Sequence, residues 1–347
     1  MQMSASNTPL RIGLIGAGAM GANHLRVLRD FDSGVVSVVG LAESMPDTLS
    51  RAVRIFHVPG FADYREMIEQ TMPDLVLVVT PTATHFEVAS FALEHGCNTL
   101  VEKPIAKTVE EASALVALAH ARGLILAVGH VERFNPAVRR LKQLLEEGML
   151  GDIYQLHGRR LGPFPPRIRD VGVTLDLATH DIDVMRFVTG SHVESVFART
   201  RQLVRHNFED LLLAVLSFDS GALGMLDVNR LTPTKARELT VTGEKGLFYL
   251  NYLTQELTFT ENDFEPSAWG QMGSLAGVGD GVMTRFKVHK AEPLRLEYED
   301  IFQAIRGGSQ ASVTGIDGLA ALSVAQELLE SAKTGKVLAC GAPIRAL

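Results

Sequence analysis

The sequence predicts an α/β fold in two parts. An N-terminal domain, residues 1–129, alternates strands and helices around a parallel sheet, and a C-terminal α+β domain, residues 130–347, carries a large and mostly antiparallel sheet. Three observations predict this. A glycine-rich turn separates an apolar run from a helical stretch in RIGLIGAGAMGANHLRVLRD, residues 11–30; strand and helix patterns then alternate to about residue 129; and beyond it strand patterns follow one another through tight turns.

A chain of 347 residues is long for one ordinary domain and comfortable for two. With 46% hydrophobic and 21% charged residues it has the balance of a globular protein. The net charge of −7 supplies no chain-wide attraction to nucleic acid or to an anionic membrane, which argues against both partners. Cys97 and Cys340 are the only cysteines, so a disulfide framework is not indicated. The opening MQMSASNTPL has neither a basic nor an apolar leader segment, and no apolar run approaches the roughly 20 residues of a bilayer span. The expected location is the cytoplasm.

Taken in order, residues 11–21 place Gly16, Gly18 and Gly21 between a strand and a helix. There the glycines allow a tight turn and close backbone approach, and the helix N-terminus can receive a pyrophosphate, the Rossmann arrangement. VVSVVGLAES, residues 35–44, reads as a second strand ending at Glu43, where a carboxylate can accept hydrogen bonds from ribose hydroxyls. Helices over 45–56 and 64–70 lead to the apolar strand 74–79, which ends in Thr80-Pro81-Thr82 at the carboxyl edge of the sheet. His85 opens the next helix as a cap, a packing residue or a ligand. Strand NTLVEKP, helix 109–122 and strand LILAVGH complete this half.

The second half opens with a charged helix near 136–148. Strands are expected in DIYQLHGRRLG, VESVFARTRQL, DLLLAVLSFDSGALGMLDVNRL and ARELTVTGEKGLFYL, one face packing on the helix of residues 172–183 and the other covered by self-association. Residues 262–282, which hold the only tryptophan, Trp269, read as a loop, either a lid or an ordinary surface loop. A terminal helix, 316–333, closes the core.

In GVTLDLATHDID, residues 172–183, Asp176, His180 and Asp183 share one helical stripe, and Leu175, Ala178 and Ile182 lie nearly opposite. Periodicity alone leaves two readings open, a solvated amphipathic face or an acid/base pair in a cleft. Together with the glycine turn and the Glu102-Lys103-Pro104 turn, this helix resembles that of the Gfo/Idh/MocA family of NAD(P)-dependent sugar and cyclitol oxidoreductases. The resemblance runs through EPLRLEYEDIFQAIRGG and IDGLAALSVAQELLESAKTGK near the C-terminus. Within the family, GHVERFNPAVRRL and RRLGPFPPRIRDVGVTLDLATHDIDVM resemble the dehydrogenases of UDP-N-acetylglucosamine. Where the family often carries two or three glycines before the helix, this chain has only Gly172.

The resemblance implies NAD contacts at Gly16, Gly18, Ala19, Met20, Gly21, Glu43, Thr80, Pro81, Thr82, His85, Glu102 and Lys103. It implies substrate contacts at Arg133, Asn135, Arg160, Arg167, Asp176 and His180. Alcohol oxidation removes a hydride from carbon and a proton from oxygen, and His180 suits the base. The resemblance gives Lys103 the developing alkoxide, while Asp176 binds a neighbouring hydroxyl or orients the histidine. No metal is implied. Arg159, Arg160, Arg167 and Arg169 crowd the approach to the helix and match a diphosphate better than a neutral sugar. The expected reaction is oxidation of the C3 hydroxyl of a nucleotide-linked amino sugar by a homo-oligomeric enzyme, dimer or tetramer. Its alternatives are a free sugar or inositol, NAD-dependent glycoside cleavage through transient C3 oxidation, and a non-catalytic dinucleotide sensor.

Overall fold

The computed structural model describes residues 8–164, 171–204, 207–262 and 280–341. The first elements in chain order are β1 (Leu10–Ile15), α1 (Ala19–Arg29), β2 (Val36–Ala42), α2 (Pro46–Phe56), β3 (Gly60–Phe61), α3 (Tyr64–Thr71), β4 (Leu75–Val78), α4 (His85–Glu94), β5 (Asn98–Val101), α5 (Val109–Arg122) and β6 (Leu126–Val128). The strands pair in parallel, in the order β3-β2-β1-β4-β5-β6. β4 reads LVLV and is wholly buried, as a parallel strand covered on both faces requires. Strand order reverses between β1 and β4. The turns after Ile15 and Val78 therefore leave in opposite directions, and doubly wound sheets bind ligands at that place.

There follow α6 (Pro136–Glu146), β7 (Ile153–Leu161), α7 (Thr179–Thr189), β8 (Val193–Arg201), β9 (Leu211–Phe218), β10 (Leu223–Asn229), β11 (Ala236–Gly243), β12 (Gly246–Asn251), β13 (Glu256–Asn262), β14 (Asp280–Arg285), α8 (Pro293–Gly307), α9 (Gly315–Thr334) and β15 (Leu338–Ala339). Their strands form a second sheet in the order β14-β13-β12-β11-β7-β10-β9-β8-β15. Every neighbouring pair is antiparallel except β7 and β10. Along β9, Leu212, Ala214 and Leu216 are buried while Leu213 and Val215 are exposed, the period-two alternation of a sheet with one covered face. Of the loop expected at 262–282, Asn262 ends β13 and residues 280–282 begin β14; Trp269 and residues 263–279 lie outside the described residues.

The chain forms two compact units. One comprises the described residues up to Val131 with Glu292–Ser323; the other comprises Glu132–Ala291 with the described residues from Val324. The break lies two residues beyond the expected boundary at 129. The assignment of everything after that boundary to a second domain is corrected by α8 and the start of α9, which join the first unit. The reason is burial: Leu294, Tyr298, Ile301 and Phe302 of α8 share one core with Leu25, Leu28 and Val36, and each such side chain contributes about 1.5–3 kcal/mol when removed from water.

α8 also carries a carboxyl group at a cost. Glu297 is 2% exposed, and neither of its oxygens has a hydrogen-bond partner among the described residues. Burial, with Glu102 and Asp300 adding to it, pushes this group well above the usual carboxylate range, so it stays protonated. A raised folded-state value for an acid costs nothing below the unfolded value and progressively more as pH climbs above it, because only the unfolded chain then releases the proton. Glu297→Gln is therefore expected to raise Tm, with a gain over wild type that widens between pH 5 and pH 8. A constant or shrinking difference in thermal melts across that range would show that Glu297 ionises in the fold.

Candidate functional site

In the first unit the glycine turn has the shape a pyrophosphate needs. Gly16 adopts φ +100°, and a Cβ there would run into the Val79 carbonyl; one on Gly21 would run into the carbonyl of Gly16. Gly18 has nothing within 4 Å of where its Cβ would lie, and it stands exposed as the N-cap of α1, whose first turn contains no acidic residue. Gly18, Ala19 and Met20 thus open a helix N-terminus with room for an anion. Glu43, just past β2, accepts hydrogen bonds from the N–H groups of Ala17 at 2.9 Å and Met45 at 2.9 Å, so its carboxylate is held beside the same turn. The shape of this turn fits a dinucleotide, and the Glu43 carboxylate lies beside it.

That placement predicts cofactor choice. A 2′-phosphate brought within about 4 Å of the Glu43 carboxylate meets a repulsion of roughly 1–4 kcal/mol, depending on how far water is excluded. NAD is expected to exceed NADP in kcat/KM by tenfold or more, and Glu43→Ala to narrow the gap; equal kcat/KM for the two cofactors in the wild-type enzyme overturns the assignment.

The Glu102-Lys103-Pro104 turn after β5 is held from within the unit. His24, on α1 and fully buried, lies 3.0 Å from Glu102 through Nε2, while its Nδ1 is bonded to the Tyr298 hydroxyl of α8. Burial opposes ionisation of Glu102, yet the His24 hydrogen bond and the nearby Lys103 hold it below the usual carboxylate range. Its other oxygen accepts from the Lys103 N–H at 3.1 Å. Glu102 is therefore a brace for Lys103. His85 is corrected more firmly: at 1% exposure its ring nitrogens lie 2.8 Å from the carbonyl oxygens of Pro104 and Thr80. It ties the two turns together from below and is not presented to a ligand. Thr80, Pro81 and Thr82 remain at least partly exposed at the end of β4.

In the second unit, residues Thr174–Ala178 form a turn of π-helix running into α7, instead of the uninterrupted α-helix that the periodicity suggests. Single π turns of this kind occur often at functional sites. Gly172 sets its start. A Cβ there would fall on the Glu209 carboxylate, which accepts the Thr174 N–H at 2.9 Å and so caps the helix. Asp176 and His180 are partly exposed, and Asp176 is ion-paired to Arg230, whose other terminal nitrogen donates to the Val171 carbonyl at 3.1 Å. Sequence reasoning missed Arg230; its only signal was a charged residue closing the apolar strand MLDVN.

Three of the expected substrate contacts face inward. Arg160 is 3% exposed; its Nε and Nη2 donate to the two oxygens of Asp181 at 2.7 and 3.1 Å, and its Nη1 donates to Glu132 at 3.1 Å. Arg133 grips both oxygens of the buried Asp183, at 2.7 and 2.6 Å. Asn135, 1% exposed, caps α6 through the Ala137 N–H and donates to the Tyr252 carbonyl at 3.1 Å. Arg160 and Arg133 brace the helix through Asp181 and Asp183, and Asn135 holds the start of α6, a correction to the reading of all three as substrate contacts. Asp183 accordingly leaves the stripe it was expected to share with Asp176 and His180. Arg167 and Arg169 lie outside the described residues, and Arg159 pairs with Glu238 at 3.0 Å.

Residues 10–130 match the model described as the oxidoreductase family with an NAD-binding Rossmann fold, and residues 138–249 match the GFO/IDH/MocA C-terminal domain. The chain is 27% identical over 319 residues to the UDP-N-acetylglucosamine 3-dehydrogenase of Acidithiobacillus ferrooxidans, covering 92% of this chain and 96% of that one. A crystal structure of that relative superposes with a TM-score of 0.80 at 26% identity, over 94% of this chain and 98% of the other. The myo-inositol 2-dehydrogenase of Thermotoga maritima is 27% identical over 342 residues, 94% and 98% of the two chains. The WlbA dehydrogenase of Bordetella pertussis, solved with NADH and UDP-GlcNAcA, shares the fold at a TM-score of 0.83 and 23% identity, over 97% and 99%.

Proposed function

Because the chain belongs to the Gfo/Idh/MocA family and is an NAD-binding oxidoreductase of the sugar and inositol dehydrogenase class, we propose that it oxidises the C3 hydroxyl of a UDP-linked amino sugar to the 3-keto sugar. The observation that carries the substrate is likeness to the A. ferrooxidans enzyme across 92% of this chain. Gly16, Gly18, Ala19, Met20, Gly21, Glu43, Thr80, Pro81 and Thr82 would hold NAD, which when bound supplies the acceptor for the hydride leaving C3. His180 takes the hydroxyl proton. Lys103, braced by Glu102, stabilises the developing alkoxide with its positive charge. Asp176, fixed by Arg230, binds a neighbouring hydroxyl or orients His180.

A second reading, oxidation of an inositol, is supported by similar identity to the T. maritima enzyme over 94% of the chain. Incubating the protein and NAD with UDP-sugars, free sugars and inositols while following NADH separates the two. NADH accumulating with UDP-N-acetylglucosamine supports the first reading; turnover confined to inositols or free sugars overturns it. No helix among the described residues is long and apolar enough to cross a membrane. On the outer face of β9 and β10, Leu213, Val215, Leu223 and Met225 are 49%, 44%, 50% and 36% exposed, and Val215 stands directly opposite Met225. An apolar patch of this kind is the ordinary mark of an interface, and we take a second copy of the chain to cover it, as a light-scattering mass above that of the monomer would report.

A further inference from the structure

We infer that Arg237, on β11, receives an oxyanion of the substrate, which in the nucleotide-sugar reading is a phosphate of the UDP group. The inference rests on that reading for its choice of phosphate and assigns the charged part of the substrate to one side chain. Register places Arg237 directly opposite Arg160, so both side chains leave the same face of the sheet. Their fates differ. Arg160 uses its fork on Asp181 and Glu132. Arg237 donates only through Nη1, to the backbone carbonyls of Leu161 at 2.7 Å and Ala236 at 3.0 Å.

Its Nε and Nη2 have no hydrogen-bond partner, and no carboxylate lies within ion-pair distance of it, among the described residues. Those two nitrogens form the edge of a guanidinium that binds a carboxylate or phosphate through two parallel hydrogen bonds. The side chain is half-buried, and the unused edge is open to an incoming ligand. Burial first, and then the charge of Arg160, bring the Arg237 guanidinium down to about 10; Asp181, Glu132 and Asp176 act on it from farther off and do not offset this. An incoming oxyanion supplies the missing counter-charge. The position suits a substrate contact: Asn229 pairs with Leu161 and Leu161 with Ala236, the neighbour of Arg237, while Arg230, next after Asn229, holds Asp176 in the turn that runs into the helix of His180.

The test uses the full-length, NAD-saturated protein and three probes: UDP, inorganic pyrophosphate and glucuronate. Arg237→Gln keeps a donor for the Leu161 carbonyl and removes the charge; Arg237→Lys keeps the charge and removes the fork. Calorimetry is expected to show UDP binding to wild type, at least about tenfold weaker binding to Arg237→Gln, and intermediate binding to Arg237→Lys, with NAD affinity and Tm unchanged. If Arg237→Gln does not fold, a loss of about threefold or more in Arg237→Lys carries the comparison, because the fork is what a bidentate oxyanion needs. Equal UDP affinity in wild type and variants overturns the role of Arg237, as does a wild type that binds none of the three probes. Oxidation of UDP-N-acetylglucosamine by the same preparation reports separately on the proposed function. Should glucuronate alone bind, and bind more weakly in Arg237→Gln, the oxyanion role of Arg237 stands and the nucleotide-sugar reading falls.

Discussion

Replacing His180 with alanine is expected to lower kcat by about 10²- to 10⁴-fold, the usual contribution of a positioned general base, while NAD binding is retained. The expectation follows from the way the helix is built. Asp181 and Asp183, which follow His180 in sequence, are held by Arg160 and Arg133, so these charges serve to fix the helix. His180 and Asp176 are left partly exposed on it. Lys103→Ala is expected to be as damaging or worse, since the alkoxide then develops without a cation beside it. Steady-state kinetics on whichever substrate the panel identifies, together with NAD titration by fluorescence, make the measurement. A His180→Ala enzyme with near-normal turnover would leave the helix an ordinary amphipathic one.

Arg160→Ala should unfold the second unit more easily and is expected to do so before it affects substrate recognition. The Arg160 guanidinium is buried with Asp181, itself 1% exposed. Against the penalty of burial, Asp181 and Glu132 raise its pKa above the ordinary arginine value, so it stays charged. Removing one partner of such a pair leaves an uncompensated buried charge and typically costs about 3–5 kcal/mol. For a cooperative unit of this size each kcal/mol moves Tm by about 2–4 °C, so a fall on the order of 10 °C is expected. Tm by calorimetry and KM for the substrate, measured on the same preparation, separate the two roles of this arginine. An unchanged Tm with a raised KM would return Arg160 to the substrate.

The glycine turn and the carboxylate held beside it were legible in the sequence because their determinants are local. Gly16, Gly18 and Gly21 fall within six residues, and Glu43 directly follows the very next strand, so spacing alone suggests a dinucleotide turn. The apolar run of β4 and the alternation along β9 likewise declare which kind of sheet each belongs to. The spacing of Asp176 and His180 suggested one helical face for both, although the π turn that holds Asp176 was invisible, since nothing local to residues 174–178 marks it.

What only the tertiary structure decided is which polar groups are already spoken for. RRLGPFPPRIRD offers four arginines that look equivalent in sequence, yet Arg160 meets Asp181 and Glu132 across 21 and 28 residues, and Arg133 meets Asp183 across 50. Thr174 is capped by Glu209 from 35 residues away, and Glu102 is braced by His24 from 78. Composition and periodicity specify the face on which a charged side chain lies. Its partner is chosen by the pairing register of distant strands and by the strong cost of leaving a buried charge alone, and neither is encoded within the reach of a local pattern. By that physics Arg160 became a strut, and Arg237, unremarkable in sequence, kept an open edge.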